Sequence, residues 1–516
     1  MKILYCNKDI LKIWCACCFW AFFILFFVSP DSYTHDMFYR WDSAWFFTCG
    51  KAWVEGLKPY VDFADSKGPV LWLIHALAYI LSPYNYLGIF WLSVILYGIV
   101  FYIDYKIALL YLDDKKLSWL VLIFLPLVYF NPWYHFEISA EDWCQPIISL
   151  VIYRILRLIY IKDYSSKTLL LSGYILGFGL VWTLLIKFSL TIMLGVTECY
   201  CLYYMIREGI NLWKPLLSFL LGILTLSFPV ASYMLYTGTF DAFINEYFIN
   251  TLQTVSSVNP ISEYIHEWFR TFADAYYMTL FSLCLLGSFL AGRRFDKDRY
   301  FLVVSFLGFY ALAIHHNIHR HYVNCCLFFI IPIIIFFVLS NKNRFSISYT
   351  RIRNISLVIV ASFTVLVNWT YTEGYLVPNL FFLNQQDRKE YYTVAYYISQ
   401  IKKPSLLYYR FAERGYGTIA GALPASKYWS TQTNPTQEML DIQHNDAVSG
   451  KADFVITYMT NYNDKLFTGI GYNKLYDFSG LTLYSKYKLN PPPVSFSVSN
   501  MDVLFKRNVV SRFSEY

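Results

Sequence analysis

Three aspartates and a lysine lie close together in a chain that otherwise avoids charge: Asp42, Asp62, Asp65 and Lys67. Only 15% of the 516 residues are charged, whereas 57% are hydrophobic. A carboxylate can take a proton from an attacking hydroxyl, and a lysine can stabilise a negatively charged leaving group. The cluster therefore predicts a site of chemistry beside a membrane rather than a linker.

Further ionisable residues are predicted to reach the same side of the membrane: Glu141, Asp142, Lys187, His315, His316, His319, Arg320 and His321. Histidines with cationic neighbours could bind a metal ion or a phosphate. Structural roles compete with these assignments, because an aspartate can cap a helix or form a turn, and a lysine can extend from a helix end to the interface. The alternatives stay open for each residue taken alone.

Long apolar runs supply the elements that position these residues. A membrane-spanning helix needs about 20 mostly apolar residues, and the sequence contains about eleven such runs. The predicted spans are 10–29, 86–105, 117–130, 143–160, 168–188, 189–206, 212–236, 276–292, 300–315, 322–340 and 354–372. The sequence thus predicts a mainly α-helical polytopic membrane bundle over residues 1–383.

The orientation follows from the positions of Lys and Arg. They concentrate in alternate loops, beginning with Lys2, Lys8 and Lys12 before the first span. The positive-inside rule then predicts a multi-pass protein of the plasma (inner) membrane with a cytoplasmic N-terminus and the loop 31–84 outside. These basic inside loops account for the net charge of +7, so nothing indicates a nucleic-acid partner.

The loop 31–84 is predicted to contain two helices. Apolar residues recur at helical spacing between Asp42 and Gly56, which predicts an amphipathic helix on the membrane surface. Pro69 suits the first position of a second helix that continues to Leu81. This second helix is too short to span the bilayer and is expected to lie along it or dip into it.

The composition changes after about residue 384. SLLYYR, ADFVITY and LTLYSKY are typical of strands, while RKEYYTVAYYISQIKK and TQEMLDIQHN are typical of helices. The odd number of spans places this α/β domain, residues 384–489, on the extracytoplasmic side. A proline-stiffened tail follows at 490–516.

The pattern D-S-x-x-F, G-K and G-x-x-P-Y-x-D-F-x-D-x-K-G-P, from Asp42 to Pro69, resembles the first outer loop of GT-C glycosyltransferases. The similarity is to the protein-O-mannosyltransferase and aminoarabinose-transferase type, and in particular to the bacterial RgtA/B/C/D-like branch. Weaker matches are Glu141-Asp142, the I-K-F around Lys187, and His321-Tyr322. The segment 416–435, with its Pro-Ala-Ser-x-Tyr stretch, resembles the soluble domain of the same branch.

The resemblance implies transfer of a hexosyl or pentosyl group, with inversion, from a polyprenyl-phosphate carrier to a lipid, polysaccharide or protein acceptor in the cell envelope. By its match to the family, Asp42 would be the general base. The donor phosphate would contact Lys67, Lys187 and Arg320. The substrate or acceptor would contact Glu141, Asp142, Asp65, His321 and Tyr322.

One departure concerns a metal ion. Related aminoarabinose transferases have Glu-Lys-Pro-Pro where this chain has Ser66-Lys67-Gly68-Pro69, so the acidic residue directly before the lysine is missing. Asp65 and His321 are the remaining candidate ligands for a divalent metal ion. The resemblance therefore leaves the cofactor open.

Two other classes of protein compete with a transferase. A polytopic lipid or solute transporter should carry ionisable groups near the middle of the bilayer, whereas here they gather at one face. An O-antigen ligase or polymerase would use a long late loop rich in Arg and His, and the stretch from His315 to His321 is short for that role.

Overall fold

The computed structural model describes residues 7–29, 31–32, 42–112, 114–130, 138–256, 330–341, 349–371, 385–431 and 435–492, and isolated residues at 282–283, 286, 305 and 307. Over these ranges the chain is mainly helical and ends in a five-stranded sheet. The architecture confirms the predicted fold class, a membrane helix bundle followed by an α/β domain.

Six described helices are long and apolar enough to cross a membrane: Ile10–Val28, Leu87–Leu112, Ala140–Ile161, Ser166–Leu184, Phe188–Arg207 and Trp213–Thr237. Each matches one of the predicted spans. Residues 354–371 of the predicted span 354–372 lie in the helix Tyr349–Tyr371. Apart from isolated residues, spans 276–292 and 300–315 lie outside the described residues, as do positions 322–329 of the span 322–340. The rest of that span contains the helix Ile331–Ser340. The predicted total of about eleven is therefore not confirmed.

The predicted span 117–130 is interrupted. It divides into the helices Lys115–Phe124 and Pro126–Tyr129, with Leu125 between them. Proline lacks the backbone N–H that would continue the first helix, and it suits the first turn of a new one. Neither piece is long enough to cross a bilayer by itself.

The expectation that ionisable residues gather at one face of the membrane has exceptions among the described residues. Asp104 and Glu198 are buried within the helices Leu87–Leu112 and Phe188–Arg207. The hydroxyl of Tyr129, on the second piece of the interrupted helix, donates to Asp104 Oδ2 at 2.8 Å. A buried polar group is destabilising unless it is hydrogen-bonded, and this hydrogen bond gives Asp104 Oδ2 a partner. It also connects the short helix to the bundle.

The two helices of the first outer loop form at the predicted positions, Asp42–Val54 and Pro69–Leu81. The two helices pack closely at Gly50, where an added Cβ would collide with the backbone of His75 and Ala76. The predicted surface location of the first helix is wrong. Its ten residues from Ser43 to Ala52 are all buried, because the second helix and the C-terminal domain cover the faces that a lone surface helix would expose.

The C-terminal domain contains a mixed sheet in the order β2-β1-β3-β5-β4. The strands are β1 (Ser405–Tyr409), β2 (Leu423–Pro424), β3 (Phe454–Tyr458), β4 (Asn473–Phe478) and β5 (Leu481–Ser485). The first three are parallel and the last two form an antiparallel hairpin. The helices Gln385–Ser399, Gln437–Val448 and Asn461–Gly469 connect or flank them. The predicted strands correspond to β1, β3 and β5.

The C-terminal domain packs directly onto the first outer loop. Lys51 Nζ donates to the carbonyl oxygen of Ala422 at 2.5 Å, and the hydroxyl groups of Tyr86 and Thr418 are 3.0 Å apart. The Trp45 and Trp429 rings are in contact, with their centroids 5.3 Å apart. The domain and the loop that carries the aspartates therefore lie at the same end of the bundle.

Candidate active site

The loop of residues 59–68, in the connection between the two outer helices, includes Asp62, Asp65 and Lys67. Tyr60 holds it together, because its backbone N–H donates to the oxygen of Phe63 at 2.7 Å and its hydroxyl donates to the oxygen of Lys67 at 3.0 Å. The buried Tyr60 ring lies on Trp72, with 4.5 Å between ring centroids. The chemistry-bearing residues thus follow a turn that is anchored in the core.

Asp62 and Asp65 have different surroundings in this loop. Asp62 is exposed, and its Oδ2 accepts from the backbone N–H of Lys58 at 2.7 Å, as expected for a turn residue. Asp65 is buried, and its Oδ1 accepts from the backbone N–H of Ser66 at 2.6 Å. Within the described part of the chain, Asp65 Oδ2 is buried without a hydrogen-bond partner. Asp65 is therefore the carboxylate with an oxygen left over for a ligand.

Two neighbouring charges act on Asp65. Burial raises the pKa of this carboxyl above its ordinary value, and the positive charge of Lys67 opposes that rise. The negative charge of Asp42 adds to it. Asp42 is the first residue of its helix and is half-buried, in the position where the helix dipole favours a negative charge. The structure thus brings Asp42, Asp65 and Lys67 within electrostatic reach of one another.

Lys67 is half-buried, and its ammonium group lies near a hydroxyl group and an aromatic ring. Its Nζ donates to Ser66 Oγ at 3.2 Å and lies 5.9 Å from the centroid of the Phe46 ring. A hydroxyl and an aromatic face hold a cation in place without neutralising it. Neither of these two neighbours is negatively charged, so the ammonium group can still bind an anionic ligand.

Gly68 joins this loop to the end of a spanning helix. Its backbone N–H donates to the oxygen of Ile186 at 2.9 Å, and that of Val70 donates to Leu185 at 3.0 Å. Lys187 follows directly, at the N-cap of the helix Phe188–Arg207. The two predicted phosphate-binding lysines, Lys67 and Lys187, thus extend from two backbone segments that are hydrogen-bonded to each other.

Lys187 and Glu141 form an ion pair. Their side chains are 15% and 3% exposed, so the pair is largely removed from water. Asp142 has another task, since its Oδ2 accepts from the backbone N–H and hydroxyl of Ser139 in a capping box. The hydroxyl of Tyr97 donates to its Oδ1 at 2.7 Å. Asp142 thus begins a spanning helix, and Glu141 orients Lys187.

Replacing Gly68 by alanine should separate the Lys67 loop from the Lys187 turn. A Cβ at this position would overlap the carbonyl group of Leu185, and backbone atoms cannot move aside as a flexible side chain can. Overpacking of this kind costs about 1–3 kcal/mol. We expect Gly68→Ala to lower the melting temperature in detergent, whereas Gly195→Ala, where the added Cβ meets open space within a helix, should not lower it. Equal melting temperatures for both variants would contradict this account of Gly68.

Comparison with known proteins gives a structural match only. No family model matches the sequence, and no curated protein does. The aminoarabinose transferase ArnT of Cupriavidus metallidurans, bound to undecaprenyl phosphate, superposes with a TM-score of 0.60 and 10% identity, over 95% of this chain and 100% of ArnT. The apo state of the same enzyme gives 0.59, over 93% and 98%.

The chain has the GT-C fold. At 10% identity the likeness to ArnT establishes the fold and not the activity. The resemblance seen in the Asp42 to Pro69 motif is thereby confirmed at the level of the GT-C fold, over nearly the whole chain.

Three predicted site residues lie outside the described residues of this GT-C fold: Arg320, His321 and Tyr322. The neighbouring histidines at 315, 316 and 319 lie outside them as well. Among the residues that the structure describes, no group of three or more His, Cys, Asp or Glu side chains could hold a metal ion. Asp65 remains the described candidate for one metal ligand.

The interface between the outer loop and the C-terminal domain contains buried charges that sequence reasoning missed. Burial lowers the pKa of Lys51 to about 7. Burial also raises the pKa of Glu413 to about 8, although hydrogen bonds from Tyr408 and the backbone of Gly415 favour its charged form. The G-K pair in the outer-loop motif contains this lysine, so the motif was a signal for Lys51. No comparable signal marked Glu413.

Proposed function

We propose that this protein is an integral-membrane glycosyltransferase that moves a sugar from a polyprenyl-phosphate carrier to an acceptor in the cell envelope. The observation that carries the proposal is the convergence of Asp42, Asp65 and Lys67 at one end of the bundle. The ion pair of Lys187 and Glu141 lies across the backbone pairing at Gly68. The GT-C fold supports this, because ArnT, with the same fold, was crystallised with undecaprenyl phosphate.

The proposed reaction is a single displacement with inversion. The acceptor hydroxyl gives its proton to the Asp42 carboxylate, and its oxygen attacks the anomeric carbon of the sugar. The bond from that carbon to the phosphate oxygen breaks, and the carrier phosphate leaves with the electron pair. Lys67 and Lys187, with Arg320, stabilise the charge that the phosphate gains. Each of these steps uses side chains of the chain itself.

The remaining predicted contacts concern substrates. In this proposal Asp65 Oδ2 accepts a hydrogen bond from a sugar or acceptor hydroxyl, because a buried carboxylate oxygen needs a partner. Glu141 holds Lys187 toward the phosphate, and Asp142 fixes the helix start beneath it. His321 and Tyr322 complete the predicted set for the substrate. If a divalent metal ion binds, Asp65 and His321 are the side chains to hold it, and it would neutralise phosphate charge.

The proposed location is the plasma (inner) membrane, with the site on the outer face and the N-terminus in the cytoplasm. The distribution of Lys and Arg supports this orientation. The contacts of Lys51 and Tyr86 with the C-terminal domain agree with it, because domain and site lie at the same end of the bundle.

Binding of undecaprenyl phosphate to the purified full chain tests the proposal. Native mass spectrometry of the protein in detergent should show a bound lipid. Lys67→Met should weaken binding about tenfold or more, as expected for the loss of a charge-assisted contact. Lys58→Met is the matched control, because this lysine lies in the adjoining turn and is exposed. A wild-type protein that does not bind the lipid, or equal affinities for wild type and Lys67→Met, would contradict the proposal.

A further inference from the structure

One short segment of the C-terminal domain, residues 424–429, contacts the first outer loop and the π-helix Ile244–Asn250 at the same time. We call it the bridging segment. At its centre the carbonyl oxygen of Lys427 accepts from the backbone N–H of Ala64 at 2.9 Å. Ala64 directly precedes Asp65, so the domain holds the backbone of the proposed site.

The side chains of the bridging segment bind the π-helix. Lys427 Nζ donates to Glu246 Oε1 at 2.5 Å, and the hydroxyl of Tyr428 is 3.1 and 3.0 Å from Glu246 Oε1 and Oε2. Asn250 Nδ2 also donates to Glu246 Oε2, at 3.1 Å. The Glu246 side chain is 8% exposed, so this carboxylate depends on its protein partners for stabilisation.

The π-helix itself contacts the rest of the proposed site. The hydroxyl of Tyr247 donates to the oxygen of Leu184 at 2.6 Å, at the turn that leads to Lys187. The Phe243 ring, just before the π-helix, lies 5.3 Å from that of Tyr60, centroid to centroid. π-Helical turns occur often at functional sites, where they redirect a side chain. The π-helix and the residue before it therefore connect three elements. Glu246 contacts the C-terminal domain, Phe243 contacts the outer loop, and Tyr247 contacts the turn that leads to Lys187.

We propose that Glu246, Lys427 and Tyr428 are positioning residues that hold the loop of Asp65 and Lys67 in the geometry that binds the carrier phosphate. The backbone hydrogen bond from the Ala64 N–H to the Lys427 oxygen attaches the loop to the C-terminal domain. The contacts of Lys427 and Tyr428 with Glu246 fix the position of the bridging segment relative to the π-helix. This inference rests on the proposed function for its consequence, lipid binding, but the restraint itself is independent of any ligand.

Hydrogen exchange of the full chain in detergent, with no lipid added, tests the restraint. In the double variant Lys427→Met/Tyr428→Phe we expect the Ala64 amide to exchange about tenfold faster than in the wild type. The Gly68 amide, which donates to Ile186 at the other end of the loop, should change less. In the single variant Lys427→Arg, which keeps the positive charge and Tyr428, the Ala64 amide should exchange as slowly as in the wild type. Unchanged exchange at Ala64 in the double variant would overturn the proposal.

The matched control removes a lysine and a tyrosine hydroxyl elsewhere in the same domain. Lys474 pairs with Asp477 at 3.1 Å, and the hydroxyl of Tyr487 donates to Asp453 at 2.9 Å. Lys474→Met/Tyr487→Phe should leave the Ala64 amide protected. If this variant accelerates exchange as much as Lys427→Met/Tyr428→Phe, the effect is general loosening of the domain, and the positioning role is overturned.

Lipid affinity is the second readout. We expect the double variant at 427 and 428 to bind undecaprenyl phosphate about three- to tenfold more weakly, at a melting temperature close to that of the wild type. Normal affinity together with faster loop exchange would overturn the positioning role. If the wild type itself does not bind the lipid, the proposed function fails, while the exchange experiment still decides whether the bridging segment restrains the loop.

Discussion

Asp42→Asn is expected to reduce the rate of sugar transfer at least about 100-fold in a protein that remains folded and inserted in the membrane. Asparagine has nearly the shape of aspartate and can occupy the first position of the helix Asp42–Val54, so local structure should survive. An amide cannot take the proton of the acceptor hydroxyl. The loss should therefore fall on the chemical step, with kcat reduced and the KM for the donor little changed.

The measurement is the initial rate of transfer from a polyprenyl-phosphate sugar, with products identified by mass. Asp62→Asn is the matched control, because Asp62 lies in the same loop but is exposed and bonded to the Lys58 backbone. Undiminished transfer by Asp42→Asn would remove Asp42 as the base. If Asp65→Asn lost the activity instead, Asp65 would be the base.

Lys187→Met is expected to lower the free energy of unfolding by about 3–5 kcal/mol, because it breaks the largely buried ion pair with Glu141. Removing both charges should be far less costly. In the double variant Lys187→Met/Glu141→Gln we therefore expect most of the stability to return. This separates the structural role of Lys187 from any contact with the donor phosphate.

Unfolding in mixed micelles, followed by circular dichroism, measures the stability of the three proteins. Lys162→Met is the matched control, because Lys162 pairs with Glu208 at 3.2 Å on an exposed surface and its loss should change stability little. In the stable double variant, a tenfold loss of affinity for undecaprenyl phosphate would place Lys187 on the phosphate. Unchanged affinity would leave the lysine a structural partner of Glu141. A Lys187→Met protein as stable as wild type would contradict the buried ion pair.

The parts of the fold that local chemistry dictates were predictable from the sequence. Pro69 begins a helix where its missing N–H costs nothing, and the helix ends at Leu81 as expected. Runs rich in β-branched and aromatic residues became β1, β3 and β5, while the more polar β4 was missed. The hairpin between β4 and β5 turns at Ser479 and Gly480, both with positive φ, a turn that the sequence reasoning did not use.

The candidate site was predictable only in part. Spacing and resemblance identified Asp42, Asp65, Lys67, Glu141 and Lys187, but not which of them meet. The structure pairs Lys187 with Glu141 and leaves Asp65 Oδ2 without a described hydrogen-bond partner. It also buries the helix that begins at Asp42, although its pattern of apolar residues is that of a surface helix. Whether such a pattern faces lipid or protein depends on elements distant in the sequence.

The sequence by itself determined the membrane-spanning runs, the outer-loop motif and the presence of an α/β domain, because hydropathy, periodicity and turn residues act over a few neighbouring positions. Only the tertiary structure decided that Glu246 meets Lys427 and Tyr428, and that Lys51 meets Ala422. These partners are separated by much of the chain. Their contacts arise from how the bundle, the outer loop and the C-terminal domain pack. The residues that flank each partner in the sequence do not indicate which distant residue it will meet.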